Sequence, residues 1–100
     1  MPAYFVVRGV IHDRTAFQDY AARSPAVLAS FGGRHIARGG KTIVFEGAAD
    51  RAHVVVAEFP DFDAAERCYR SDAYQSILPL RRDSATLEFV LVDGVSSEKK

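Results

Sequence analysis

The chain contains no tryptophan and no asparagine, one cysteine, and no surplus of either charge, with thirteen Lys and Arg set against thirteen Asp and Glu over 100 residues. Each shortage narrows the reading. A general nucleic-acid binder needs excess Lys and Arg to displace counterions, so none is expected here, and the same balance argues against attachment to an anionic membrane. No apolar run approaches the ~20 residues that span a bilayer. The opening MPAYFVVRGVIHDR lacks a basic start, a long apolar centre and a small-residue cleavage site, so it is not expected to act as a signal peptide. Cys68 alone makes no internal disulfide, and together these features point to a reducing, cytoplasmic setting.

What is present is the composition of a globular domain, 48% hydrophobic and 26% charged. One domain over residues 1–95 is expected, followed by a short polar tail, residues 96–100, expected to be flexible. Ala3 to Ile11 is rich in β-formers and reads as the first strand. Asp13 caps a helix whose apolar stripe includes Phe17, Tyr20, Ala21, Val27, Leu28 and Phe31. Pro25 is expected to break that helix, with Ser24 capping a restart, and Gly32 and Gly33 end it. Arg34 to Glu46 reads as one long strand bent by a bulge at Gly39 and Gly40. A tight hairpin at the same glycines is the alternative. Ala52 to Phe59 is the third strand. Pro60 and Asp61 stop it and open a helix, Ser71 caps a further helical stretch in which Pro79 kinks or restarts the chain, and Thr86 to Val92 is the last strand.

The order strand, helix, strand, strand, helix, strand predicts an α+β fold of the ferredoxin-like βαββαβ type. Its four-stranded antiparallel sheet carries the helices on one face. A sheet with one wet face should alternate apolar and polar residues. Here Tyr4, Val6 and Val10 oppose Phe5, Val7 and Ile11, and Val54 and Val56 oppose Val55, Ala57 and Phe59, so both faces are apolar. Two helical segments cover only one of them. The expected cover for the other is a second copy, giving a homodimer packed sheet to sheet, on the order of 800 Å² per partner.

The segments AYFVVRGVIHD, GGRHIARGG, FEG, VVVAEFPDFDAAERCYRSDAYQSILPLRR and LVDG resemble, in order and spacing, a small bacterial family defined as domain of unknown function 1330. The resemblance runs from Pro2 to Gly94 and implies the dimeric α+β barrel arrangement. It implies no activity. The wider superfamily includes cofactor-free monooxygenases, haem-degrading enzymes and lactone isomerases, with ligands commonly held between helices and sheet. The missing Trp and Asn weigh against haem degradation and quinol oxidation, in which relatives often rely on those residues.

Three side chains are candidates for catalysis. Glu58 ends the third strand in a position that resembles the family pattern; it is either a general acid or base or the carboxylate of a structural ion pair, with Arg38, His35, Tyr4 or the Arg81–Arg82 pair as partners. Tyr74 and Arg81 share a helix face with Ile77 and Leu78, so a phenol and a guanidinium converge where a carboxylate or enolate could be oriented. Tyr4, His35, Arg38, Tyr69 and Ser71 are candidate ligand-binding residues; the plainer alternative makes Ser71 a cap and the tyrosines core rings. His12, His35 and His53 fall on three elements without ligand spacing, so no metal is expected, and no cofactor is expected either. GGKT lacks the earlier glycine of a phosphate loop and leads into a strand, so it is not a nucleotide motif. Cys68 reads as a small apolar helix residue. The expected function is binding or transformation of a small anionic or carbonyl-containing molecule without a metal. The alternatives are a non-catalytic binding or stress-related accessory dimer and a purely structural domain.

Overall fold

Strict alternation shapes the sheet. In the computed structural model, which describes residues 1–95, β1 (Ala3–Ile11) turns Ala3, Phe5 and Val7 inward, where they are buried. It pairs antiparallel with β3 (His53–Phe59) on one side and β4 (Ala85–Asp93) on the other, in register Tyr4↔Glu58 and Val7↔Phe89. β2 (Arg34–Arg38) adds to β3, so the order is β2-β3-β1-β4. Three helices pack on the inner face: α1 (Arg14–Ala29), α2 (Phe62–Arg70) and α3 (Asp72–Ser84). This is the ferredoxin-like α+β arrangement expected from the element order. The polar tail, residues 96–100, lies outside the described residues.

The helix starts follow side-chain chemistry. Asp13, Asp61 and Ser71 each accept a hydrogen bond from a backbone N–H in the first turn that has no intrahelical partner. At the end of α1, Gly32 adopts φ +82°, a backbone glycine takes without cost. Its N–H donates to Ala29 O, and that of Gly33 to Leu28 O, closing the last turn.

Two expectations for this half of the chain are corrected. α1 runs unbroken through Pro25, and Ser24 is buried in its middle rather than capping a restart. The reason lies on β2. A proline at position 25 gives the Ala21 carbonyl no amide partner, and the Arg38 guanidinium donates to that carbonyl instead. The predicted strand from Arg34 to Glu46 stops at Arg38. Gly39 takes φ +65° and turns the chain away after a last ladder bond from its N–H to Val54 O, 2.9 Å. The bulge lies between His35 and Ala37 instead. Residues 40–52 form no regular element, and Phe45 there is 88% exposed. Pro79 likewise starts no new helix; it and Gln75, whose carbonyl it leaves free, lie on the exposed side of α3, where water can take the carbonyl.

The outer face of the sheet carries Val6, Val90, Val92 and Ile36, with Val90 56% and Ile36 48% exposed. Arg34 and Glu58 lie on β2 and β3, opposite each other in register.

Candidate functional site

The inner face is filled unevenly. Towards α2 and α3, Phe5, Phe59, Ala65, Cys68, Ile77 and Leu78 form a close-packed core. Towards α1 the facing side chains are small, among them Ala21 and Ser24 on the helix and Ala57 on β3, and a cavity of about 380 Å³ remains between sheet and helix. That is at the small end of ligand-pocket sizes. Its walls are largely aromatic and aliphatic, with Phe5, Phe17, Val55 and Phe89 among them.

The cavity wall carries three cationic donors beside Gln18, Tyr20, Ser24, His35 and His53, which can both donate and accept. The cations are Arg14, Arg38 and Arg81, and among the described residues no Asp or Glu lines it. Arg81 is the unusual one. It is only 5% exposed, its guanidinium carbon lies 4.7 Å from the centre of the Phe89 ring, and its Nε is buried without a hydrogen-bond partner. The stacking recovers part of the cost of desolvating a cation. The unmet N–H remains, and a buried charged donor without an acceptor is expensive.

Beside Arg81 two phenols meet. Tyr20 Oη and Tyr74 Oη are 2.6 Å apart and buried, from residues 54 positions apart in sequence. One hydroxyl donates to the other, which leaves a single O–H proton of the pair free for a further acceptor. Burial pushes both phenols above the ordinary tyrosine value, with the Arg81 charge opposing it, so both stay neutral donors. Two imidazoles also line the cavity. His35 is held below the ordinary histidine value by burial and then by Arg38, and His53 by burial and then by Arg14. His53 Nε2 is the second buried atom without a partner among the described residues.

The candidate residues therefore separate. Arg81, His35 and Arg38 line the cavity, whereas Tyr74 lies behind Tyr20, to which it is hydrogen-bonded, and does not itself line it. Nor does Glu58. Its carboxylate receives Arg34 Nε and Nη2 at 3.1 and 2.8 Å. It points to the outer face, opposite Tyr4 in register, and neither residue lines the cavity. Tyr69 packs against Phe5, Tyr74 and Phe89 and lines a shallower groove beside α2. Ser71 spends its hydroxyl on capping, accepting from Tyr74 N–H and donating to Cys68 O at 2.6 Å. Cys68 is wholly buried, with its thiol pushed up to about 11 by burial, which leaves it unreactive at neutral pH. No three of His, Cys, Asp and Glu gather into a cluster able to hold a metal ion among the described residues. No described helix is long and apolar enough to cross a membrane.

Sequence reasoning missed Tyr20, which sat unremarked in the apolar stripe, and His53, which read as a strand-edge residue. The parity of β3 carried a signal for the second: His53 shares its side with Val55, Ala57 and Phe59.

The family model for the domain of unknown function DUF1330 matches residues 2–95. No curated protein matches the chain. Among solved structures, a protein of unknown function from Rhodopseudomonas palustris superposes with a TM-score of 0.73 at 19% identity, covering 95% of this chain and 83% of that one. SnoaB from Streptomyces nogalater, described as a cofactor-independent oxygenase, gives 0.69 at 24% identity, covering 99% and 98%. A dimeric ferredoxin-like protein of unknown function from Jannaschia sp. CCS1 gives 0.63 at 16% identity, covering 94% and 100%.

Proposed function

The chain belongs to the family of domain of unknown function DUF1330, and we propose that it is a homodimer whose subunits each hold a small, mainly apolar anion between sheet and helices. One observation carries the ligand: a buried arginine with an unmet N–H in the wall of an aromatic cavity that is lined by three arginines and, among the described residues, no carboxylate. An anion there completes Arg81 with a charge-assisted hydrogen bond and takes the free hydroxyl proton of the Tyr20–Tyr74 pair. The apolar walls supply the rest of the binding surface. The outer sheet face supports the dimer, since Val6, Val90, Val92 and Ile36 stand exposed there, where a second copy would cover them. The Jannaschia protein of the same fold is described as dimeric.

Transformation of the bound anion, beyond binding, is supported by the two neutral imidazoles set among arginines. A neutral base beside fixed positive charge suits proton abstraction, because the new anion is stabilised where it forms. The likeness to an oxygenase described as cofactor-independent fits this reading at the level of the fold.

The test is a thermal-shift and calorimetric screen of aromatic and aliphatic carboxylates against their neutral amides, on the wild type and on Arg81→Met. Carboxylates should bind, amides should bind at least about tenfold more weakly, and Arg81→Met should abolish the difference. Equal affinity for acid and amide would remove the anion from the proposal. Incubating each hit with the protein and analysing products separates an enzyme from a binder.

A further inference from the structure

The segment between β2 and β3 and the open edge of β4 each lack what the other offers. Thr42 to Phe45 is a run of strand formers that belongs to no ladder. Val44 is half-buried, whereas Ile43 and Phe45, at the alternate positions, are 69% and 88% exposed. Phe45 is the most exposed large apolar side chain among the described residues. The root of this segment is nevertheless fixed. Arg8, on the outer side of β1 with Tyr4 and Val6, donates from Nε to Arg51 O at 2.8 Å and from Nη2 to Ala48 O at 3.0 Å. Thr42 Oγ1 donates to Ala52 O at 2.9 Å. The segment is thus tied to the outer sheet face, the face the proposed dimer covers, and it holds its two large apolar side chains in water.

β4 has the matching vacancy. It is the end strand of the sheet and pairs with β1 residue for residue over nine positions, so its other side presents a row of backbone groups with no strand beside it. An edge of this length is a template for a further strand, and neither proline nor lysine guards it. Between β4 and α2 lies the shallower groove, with Phe62, Tyr69, Phe89 and Leu91 in its wall and Phe62 40% exposed. Phe89 and Leu91 share the helix side of β4, so a strand added at the edge would send every second side chain to the side of this groove.

From this we infer that the two copies of the proposed dimer exchange arms: Thr42 to Phe45 of each adds to the open edge of the other's β4, with Ile43 and Phe45 turned towards the groove beside α2. Vacancy and occupant are on one chain, so a two-fold dimer fills both at once and leaves neither β4 edge open. Within one subunit the arm leaves from β2, at the opposite end of the sheet from β4. The inference rests on the homodimer proposed above and adds which elements cross between its subunits.

Three measurements test it. Replacing Ile43 and Phe45 together by serine should raise the dimer dissociation constant in sedimentation at least about tenfold, since two large apolar side chains lose their cover. Both are exposed in the single subunit, so the variant should fold as the wild type does. The chain has no tryptophan, so Phe45→Trp supplies a lone reporter, whose emission should lie further to the blue in the dimer than in the same variant carrying Val90→Glu. For placement, a Cys68→Ala protein carrying Val44→Cys is mixed and oxidised with one carrying Glu88→Cys, Val90→Cys or Val92→Cys. One mixture should give a covalent dimer in a yield above that of either parent alone, because facing residues of paired strands lie within disulfide reach. If the double serine variant dimerises as tightly as the wild type, if the indole emits alike in dimer and monomer, or if no mixture cross-links, the exchange is overturned; the sheet-face dimer still stands provided Val90→Glu splits it. A wild type that is monomeric at micromolar concentration overturns both.

Discussion

Replacing Arg81 by methionine should stabilise the ligand-free protein. The substitution keeps an unbranched side chain of similar reach and removes the buried charge. The cost of the native residue comes from Nε, which is desolvated without an acceptor; an unsatisfied charged donor of this kind costs about 3 kcal/mol. The Phe89 ring 4.7 Å away returns part of this, about 1–2 kcal/mol for a desolvated cation–π contact. The difference leaves the variant about 1–2 kcal/mol more stable, which in a domain of this size is a rise in midpoint of roughly 4–16 °C. Urea unfolding, with thermal melts at several protein concentrations to separate folding from assembly, reads this directly. The same variant should show no stabilisation by carboxylates that stabilise the wild type. A variant less stable than the wild type would refute the reasoning, because it would mean that Arg81 is already fully compensated and is a structural residue with no need of a ligand.

Three other outcomes follow from the structure. Tyr74→Phe removes one member of the buried 2.6 Å phenol pair and leaves the Tyr20 hydroxyl without its partner; it should cost about 1–2 kcal/mol in urea unfolding, and the double phenylalanine variant should cost less than the sum of the two singles. His35 and His53 both have folded-state values below their unfolded ones, so the unfolded chain binds more protons and stability rises with pH across that window. Stability should be complete above the unfolded value near 6.5 and fall as pH drops through it towards the lower folded values. Urea midpoints from pH 8 to pH 5 test this, and replacing both histidines with glutamine should flatten the curve. Val90→Glu places a charge on the exposed outer face of β4, so light scattering at micromolar concentration should report a dimer for the wild type and a monomer for the variant; a wild-type monomer would remove the dimer.

The parts of this molecule that could be read from its sequence are those decided by local periodicity. β1, β3 and β4 have side-chain parity that survives folding, and the spacing of Tyr74, Ile77, Leu78 and Arg81 put all four on the buried face of α3. The same parity places Glu58 with Val54 and Val56, away from any cavity, but its ion-pair partner is Arg34, opposite it on β2, and none of the partners expected from the sequence. What local pattern could not give was the outcome of tertiary competition. Thr42 to Phe45 has strand-forming residues but no ladder partner, and Ile43 and Phe45 end exposed, because β propensity acts only where a neighbouring strand accepts the segment. Pro25 reads as a break until Arg38, 13 positions later, is seen to serve the carbonyl that the proline deserts. The Tyr20–Tyr74 contact joins two helices across most of the chain, and no spacing rule within either helix announces it.

The size of the cavity bears on how a ligand would be held. The 380 Å³ space opens towards the exposed residues Arg14, Gln18, Arg38 and Gly39 in its wall. An open space of this kind is reached by solvent and is not a dry packing defect. It must hold water when no ligand is bound, and the wall chemistry decides how well that water is held. The arginines, Gln18 and Tyr20 offer it a few partners, whereas Phe5, Val7 and Phe17 offer none. Water over those rings is poorly anchored, and displacing poorly anchored water with apolar surface is favourable. The strength of binding to the proposed site therefore resides in the apolar body of the ligand, and its charged end fixes which molecule, and which way round, occupies the space.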